Sequence, residues 1–178
     1  MNEFQLENFT EKEQEILKKR ARILSMKAEE EGKKLSEYLI CSVSNEYYGF
    51  CTKFIQEVFL INQFTKLPDC PPWLKGIINL RGEIISVIDI REVFDLPKSN
   101  GNQNSLTLIL HQHDIKFGIL IDGIDDIIEV DENDIVKEFA TFDDIRKEYL
   151  MGITNDSYCL LNAEKLLNDP RLIINNEF

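Results

Sequence analysis

The run GIINLRGEIISVIDIR, residues 76–91, constrains this chain more than any other stretch, because two apolar segments meet at a single Arg-Gly pair. Gly82 supplies the backbone freedom of a tight reversal, so Leu80-Arg81-Gly82-Glu83 reads as a hairpin turn with Arg81 at its tip. The flanking residues 77–80 and 84–90 are apolar at nearly every position, the pattern of strands covered on both faces. Such a hairpin needs partners on each side. A chain of 178 residues with 43% hydrophobic content can supply them, as one domain or as two small subdomains sharing a core. On elementary grounds Arg81 reads first as a charge that keeps the turn hydrated.

The texture around the hairpin is of short runs rich in Ile, Val, Phe and Tyr between turn residues, which favours small barrels over alternating βαβ units. Strands are expected at 37–43, 47–51, 56–61, 76–80, 83–90, 105–111, 115–121, 124–130, 150–154 and 158–161. Ser44-Asn45-Glu46 and Gln112-His113-Asp114 make turns, and the polar segment 98–104 reads as a crossing between subdomains. Short helices are expected at 91–94 and 163–168, the second halted by Asp169-Pro170. Ahead of the strands, Thr10 and Glu13 match a capping box. Ile16, Leu17, Ala21, Leu24 and Ala28 then recur at helical spacing up to Gly32, which predicts an amphipathic helix over 10–31.

The formal net charge of −12 argues against binding to nucleic acid or anionic membranes, both of which need concentrated lysine and arginine. No apolar run approaches the roughly eighteen residues of a membrane helix, and the acidic N-terminus is unlike a secretion signal, so the expected location is the cytoplasm. Cys41, Cys51, Cys70 and Cys159 form no C-x-x-C pair and read as free thiols; Cys41 and Cys51, on adjacent strands, are candidates to face each other. His111 and His113 share a strand face by spacing but bring no third metal ligand, and Asp122, Asp125 and Asp126 lack the order of a calcium loop. No nucleophile motif, P-loop or dinucleotide fingerprint accompanies the carboxylates. Asp89 and Arg91, two apart on one expected strand, read as a local structural pair.

Residues 71–82, PPWLKGIINLRG, followed by Ile85-Ser86-Val87-Ile88-Asp89-Ile90-Arg91, closely resemble the signature of the CheW family of bacterial chemotaxis adaptors. Tyr48-Gly49 and Ile55-Gln56-Glu57-Val58 fall upstream in the family's order. Gly118-Ile119-Leu120-Ile121-Asp122-Gly123-Ile124, Glu148-Tyr149-Leu150-Met151-Gly152 and Asn162-Ala163-Glu164-Lys165-Leu166-Leu167 follow, so the resemblance spans about 36–170. It implies a mainly β fold of two interlocked five-stranded, SH3-like β-barrel subdomains in residues 35–178, with residues 1–34 as a helical extension.

It also implies a protein that is not an enzyme, has no cofactor or metal, and couples methyl-accepting chemoreceptor cytoplasmic tips to the regulatory domain of a CheA-type histidine kinase. Other adaptor copies are further partners, and the setting is a cytoplasmic array at the membrane. The alternatives are an adaptor for surface motility or another output and, from a different class, a metal- or small-molecule-binding barrel. By position, Arg81 matches the family arginine at the receptor groove and Glu57 the acidic residue facing it. Ile55, Gly76 and Gly82 complete the expected receptor-binding set, Gly76 either admitting a partner backbone or serving as a small residue at a strand start. The chain departs from the family at Ser86, where proline is common, and in the acidic stretch 122–138, which reads as a solvated face or as a charge that tunes partner choice.

Overall fold

The computed structural model describes residues 34–61, 63–97, 105–137 and 144–172. The expected helix over 10–31 and the polar crossing at 98–104 lie outside the described residues. Ten strands follow one another: β1 (Leu35–Val43), β2 (Glu46–Cys51), β3 (Ile55–Ile61), β4 (Leu74–Leu80), β5 (Glu83–Ile88), β6 (Ser105–Gln112), β7 (Ile115–Ile121), β8 (Gly123–Asp131), β9 (Leu150–Ile153) and β10 (Cys159–Leu161). Among the described residues three short α-helices join them: α1 (Ile90–Val93), α2 (Asp144–Tyr149) and α3 (Ala163–Asn168).

The strands form two five-stranded sheets, ordered β8-β1-β2-β10-β9 and β3-β6-β7-β5-β4. The chain lays down two strands of the first sheet, completes the second, and returns to finish the first. Strands from before and after the second sheet therefore close the first, which makes the two subdomains interlocked. Each contains one parallel pair, β2 with β10 and β5 with β7. Backbone hydrogen bonds between Thr65 and Ile77 (2.9 and 3.0 Å) draw the edges of the second sheet together, and those between Val136 and Ile153 (3.0 and 2.9 Å) do the same for the first.

Three apolar clusters explain the sequence pattern. Tyr38, Ile40 and Leu160 fill the first barrel; Ile61, Ile78, Ile85 and Val87 fill the second; Cys41, Phe50, Ile88, Leu108 and Ile119 belong to a larger core that both sheets share. Successive residues of one strand therefore enter different cores, as Leu39 and Ile40 do in β1 and Val87 and Ile88 in β5. Continuous apolar runs result where a one-sided sheet would alternate. Rings of Tyr48, Phe94 and Tyr149 stack through the shared core with centroids 5.9 and 5.8 Å apart. At such spacings aromatic pairs add about 0.5 to 1.5 kcal/mol beyond the area they bury.

Three expectations are corrected. Strand β5 stops at Ile88, because the Asp89 carboxylate accepts a hydrogen bond from the Arg91 amide (3.1 Å) and so caps α1. Asp89 and Arg91 are indeed a pair, but across a helix start and not along a strand. Ile84, expected inside, is 62% exposed, since it lies beside the hairpin tip opposite exposed Asn79. Helix α2 was absent from the sequence reading. Asp143 directly before it is a capping signal in the sequence, but of residues 145–149 Tyr149 alone is buried, and tertiary contacts hold the helix in place: Arg146 donates to Glu46 and, over 3.1 Å, to the carbonyl of Phe94.

Candidate functional site

The β4–β5 connection contains two residues, Arg81 and Gly82, between the register pair Leu80 and Glu83. Both have positive φ, 54° and 92°, the signature of a type I′ hairpin, whose twist matches that of its strands. Gly82 accepts this without cost, and the Asn79 carboxamide oxygen accepts its amide at 2.9 Å. Arg81 does not. An L-residue with a bulky side chain in the left-handed region costs about 1 to 2 kcal/mol, and asparagine or glycine is preferred at this turn position. The fold thus holds an arginine where folding alone disfavours one.

The Arg81 guanidinium is 75% exposed and donates through Nη2 to Glu57 Oε2 at 2.9 Å. Glu57 comes from β3, at the opposite edge of the sheet. The closure through Thr65 and Ile77 brings the two edges together. Glu57 Oε1 is buried and has no hydrogen-bond partner among the described residues, so the Arg81 contact on Oε2 is the hydrogen bond this carboxylate has there. Beside the tip, Lys116 of β7 pairs with Glu83 at 2.5 Å. Ile84, the next residue of β5, is exposed on the opposite face of the strand from Glu83 and buried Ile85. The hairpin end thus offers exposed charge at Arg81 and exposed apolar area at Ile84.

The remaining expected residues are placed as follows. Gly82 sits at the tip, where a side chain would meet nothing within 4 Å. Ile55 lies two residues before Glu57 in β3, past an irregularity in register, and packs partly against the shared core. Gly76 is buried at the far end of β4 with φ 145°, and the space a side chain would need is taken by the Thr65 backbone. The close approach that this glycine permits is to its own chain. The structure thus brings together Arg81, Glu57 and Gly82, with Ile55 along the same strand, and sets Gly76 apart. The sequence reading missed Ile84, Glu83 and Lys116. The hairpin register could have shown Ile84 opposite Asn79, whereas the parallel neighbour β7 left no local signal.

A second arginine lies ten positions on. Arg91 is buried, donating through Nη1 to Asp89 Oδ1 (2.9 Å) and through Nη2 to Asp122 Oδ1 (2.6 Å). The other Asp122 oxygen accepts the Ser44 amide at 2.6 Å, while Lys75 stands 3.4 Å from Asp89 and 3.2 Å from Glu92. This network ties α1 to the link between β7 and β8 and to the β1–β2 turn.

The cysteines and histidines are arranged otherwise than the spacing suggested. Cys41 pairs in register with Tyr48 and Cys51 with Tyr38, so the two thiols do not face each other; they enter different cores. Burial pushes the Cys41 thiol up to about 12 and Cys159 to about 11. His111 stands opposite Lys116 in β6, and His113 occupies the following turn at φ 53°.

Residues 37–171 match the family model of the CheW-like domain. The chain is 30% identical over 143 residues to the chemotaxis protein CheW of Klebsiella aerogenes, covering 78% of this chain and 85% of that one. It is 29% identical over 137 residues to the CheW of Treponema pallidum, covering 73% and 81%. Among solved structures, the scaffolding protein TtCheW of Thermoanaerobacter tengcongensis superposes with a TM-score of 0.62 at 30% identity, over 71% of this chain and 88% of that one.

Proposed function

Because the chain belongs to the CheW family and is a non-catalytic chemotaxis adaptor, we propose that it couples chemoreceptor cytoplasmic tips to a CheA-type histidine kinase, with the Arg81 hairpin tip as its receptor contact. The observation that carries the contact is the conformation of Arg81: a left-handed, exposed arginine is unfavourable for the turn and useful only for what its guanidinium touches. Glu57 fixes the direction of the guanidinium from one side and leaves its remaining donors to the solvent. A receptor tip, a helical hairpin, presents a groove-filling apolar face with polar edges. Ile84 and Ile55 supply area to it and Arg81 supplies orientation.

Kinase binding falls to barrel surface away from the tip. The division into an extension, 1–34, and an adaptor unit, 35–178, belongs to the same reading, as does a location in the cytoplasm at membrane-associated receptor arrays. No described helix is long and apolar enough to cross a membrane.

The test is co-sedimentation of the purified protein with receptor signalling tips and with the kinase regulatory domain, separately and together, alongside Arg81→Glu. Wild type is expected to bind both, and the variant to keep the kinase domain and lose most receptor binding. A variant that unfolds, or that binds receptor unchanged, overturns the tip assignment. Wild-type protein that binds neither partner overturns the coupling reading.

A further inference from the structure

The acidic stretch of β8 carries an inference independent of the hairpin tip. Strand β8 is an edge strand: it pairs with β1 along its length, and among the described residues no strand pairs with its outer side. A register irregularity at Asp125 and the charges of Asp125, Asp126 and Glu129 guard it against pairing with a like strand, but not against one that carries the opposite charge. Strand β8 is nine residues long, contains no proline or lysine, and exposes Ile124 and Ile127. One of its amides, that of Ile127, takes the neighbouring Asp126 carboxylate at 2.8 Å in place of a strand partner. Between the edge and the turn that joins β9 to β10 lies an open groove of about 320 Å³, lined by Glu129, Asp131, Asp134 and Asp156 and by no basic residue.

The charges on this side are unbalanced in a specific way. Glu129 stands directly opposite Glu37 in the β1–β8 register, and both are exposed. Like charges placed opposite each other across a strand pair destabilise it. Among the described residues no lysine or arginine forms an ion pair with Glu37, Glu129, Asp131, Asp134 or Asp156. A cationic side chain arriving from outside would relieve the Glu37–Glu129 repulsion, and an extended backbone would satisfy the edge. A second copy of this chain would bring the same carboxylates and add repulsion.

We infer that the outer edge of β8 docks an extended, lysine- or arginine-bearing segment of a partner protein, which adds to the first sheet as a further strand with its cations over Glu129 and the groove carboxylates. Main-chain hydrogen bonds supply the register and the charges supply selectivity and salt sensitivity.

The test uses the full chain, nitrogen-15 labelled, titrated with a short peptide that alternates lysine and threonine. Amides along β8 are expected to shift and gain protection from hydrogen exchange, and higher salt is expected to weaken the complex. The double reversal Glu129→Lys with Asp156→Lys should weaken binding by about tenfold or more. It should not harm the fold, because Glu129→Lys turns the opposed pair with Glu37 into an attractive one. The same peptide with alternate amides N-methylated should fail to bind, since it cannot complete a strand. Equal binding of the methylated peptide, or shifts that avoid β8, overturns the proposal. So does β8 self-pairing seen as a dimer by sedimentation, and so does a calcium titration that reproduces the peptide's β8 shifts.

Discussion

The hairpin tip and the seam between the sheets each hold an arginine on a carboxylate at 2.9 Å, Arg81 on Glu57 and Arg91 on Asp89. The distances are equal and the consequences are not. The Arg81 side chain is 75% exposed and that of Arg91 10%. Water screens the first pair, so it adds about 0 to 1 kcal/mol to stability and is free to exchange its partner. The second pair has lost its water. Removing either member would strand a buried charge, which is why the seam behaves as part of the fold and the tip as part of a surface. Solvent, not bond length, divides structural from functional charge here.

The comparison breaks most visibly at the seam. Arg91→Ala is expected to lower unfolding free energy by about 3 kcal/mol, the lower end of the range for removing one member of a buried pair, because Asp122 retains some access to water. A denaturant midpoint that moves by less than a third of that, with unchanged slope, would make the seam no different from the tip.

Acid sharpens it next. The Arg171 guanidinium, and after it the Tyr149 hydroxyl at 2.6 Å, hold the Asp169 carboxyl well below the usual carboxylate range against the opposing effect of burial. A carboxylate so depressed contributes stability that is present above its ordinary value of 3.8 and is lost as pH falls toward the folded value. Asp169→Asn should therefore be less stable than wild type at neutral pH and lose less stability below pH 3.8. Arg171 is more than half exposed, which limits the effect. Parallel acid curves for the two proteins would remove Asp169 from the account.

At the tip the expected sign reverses. Arg81→Asn replaces a residue strained in the left-handed region by one that tolerates it, so thermal stability should stay level or rise by up to about 1 kcal/mol while receptor binding falls. Loss of stability in this variant would make Arg81 a structural residue. The smallest effect concerns the thiols. Half-exposed Cys70 should react with iodoacetamide in the native protein at neutral pH, and buried Cys41 and Cys159 should not until it unfolds. Prompt labelling of Cys41 would show the shared core to open more readily than its packing implies.

Much of this molecule was legible before its structure. Ten strands were expected and the described residues form ten, each within two residues of the expected bounds, and the hairpin turn fell on Arg81 and Gly82. These features are local: apolar runs, turn residues and a helix-stopping proline act over a few positions. The pairing of Arg81 with Glu57 came from the resemblance, not from spacing, since 24 residues separate them. The exposure of Ile84 ran against the pattern, because composition cannot say where a covering layer ends.

Sequence by itself determined the strands, the reversal at residues 81–82, the acidic character and the family. Tertiary structure alone decided that Arg91 would meet Asp122 across 31 positions, that neighbouring residues of one strand would enter different cores, and that β8 would keep an open edge. Backbone conformation answers to nearest neighbours, but burial and charge pairing depend on which surfaces meet. The return of the chain from the second sheet to the first fixes those meetings only when both sheets exist.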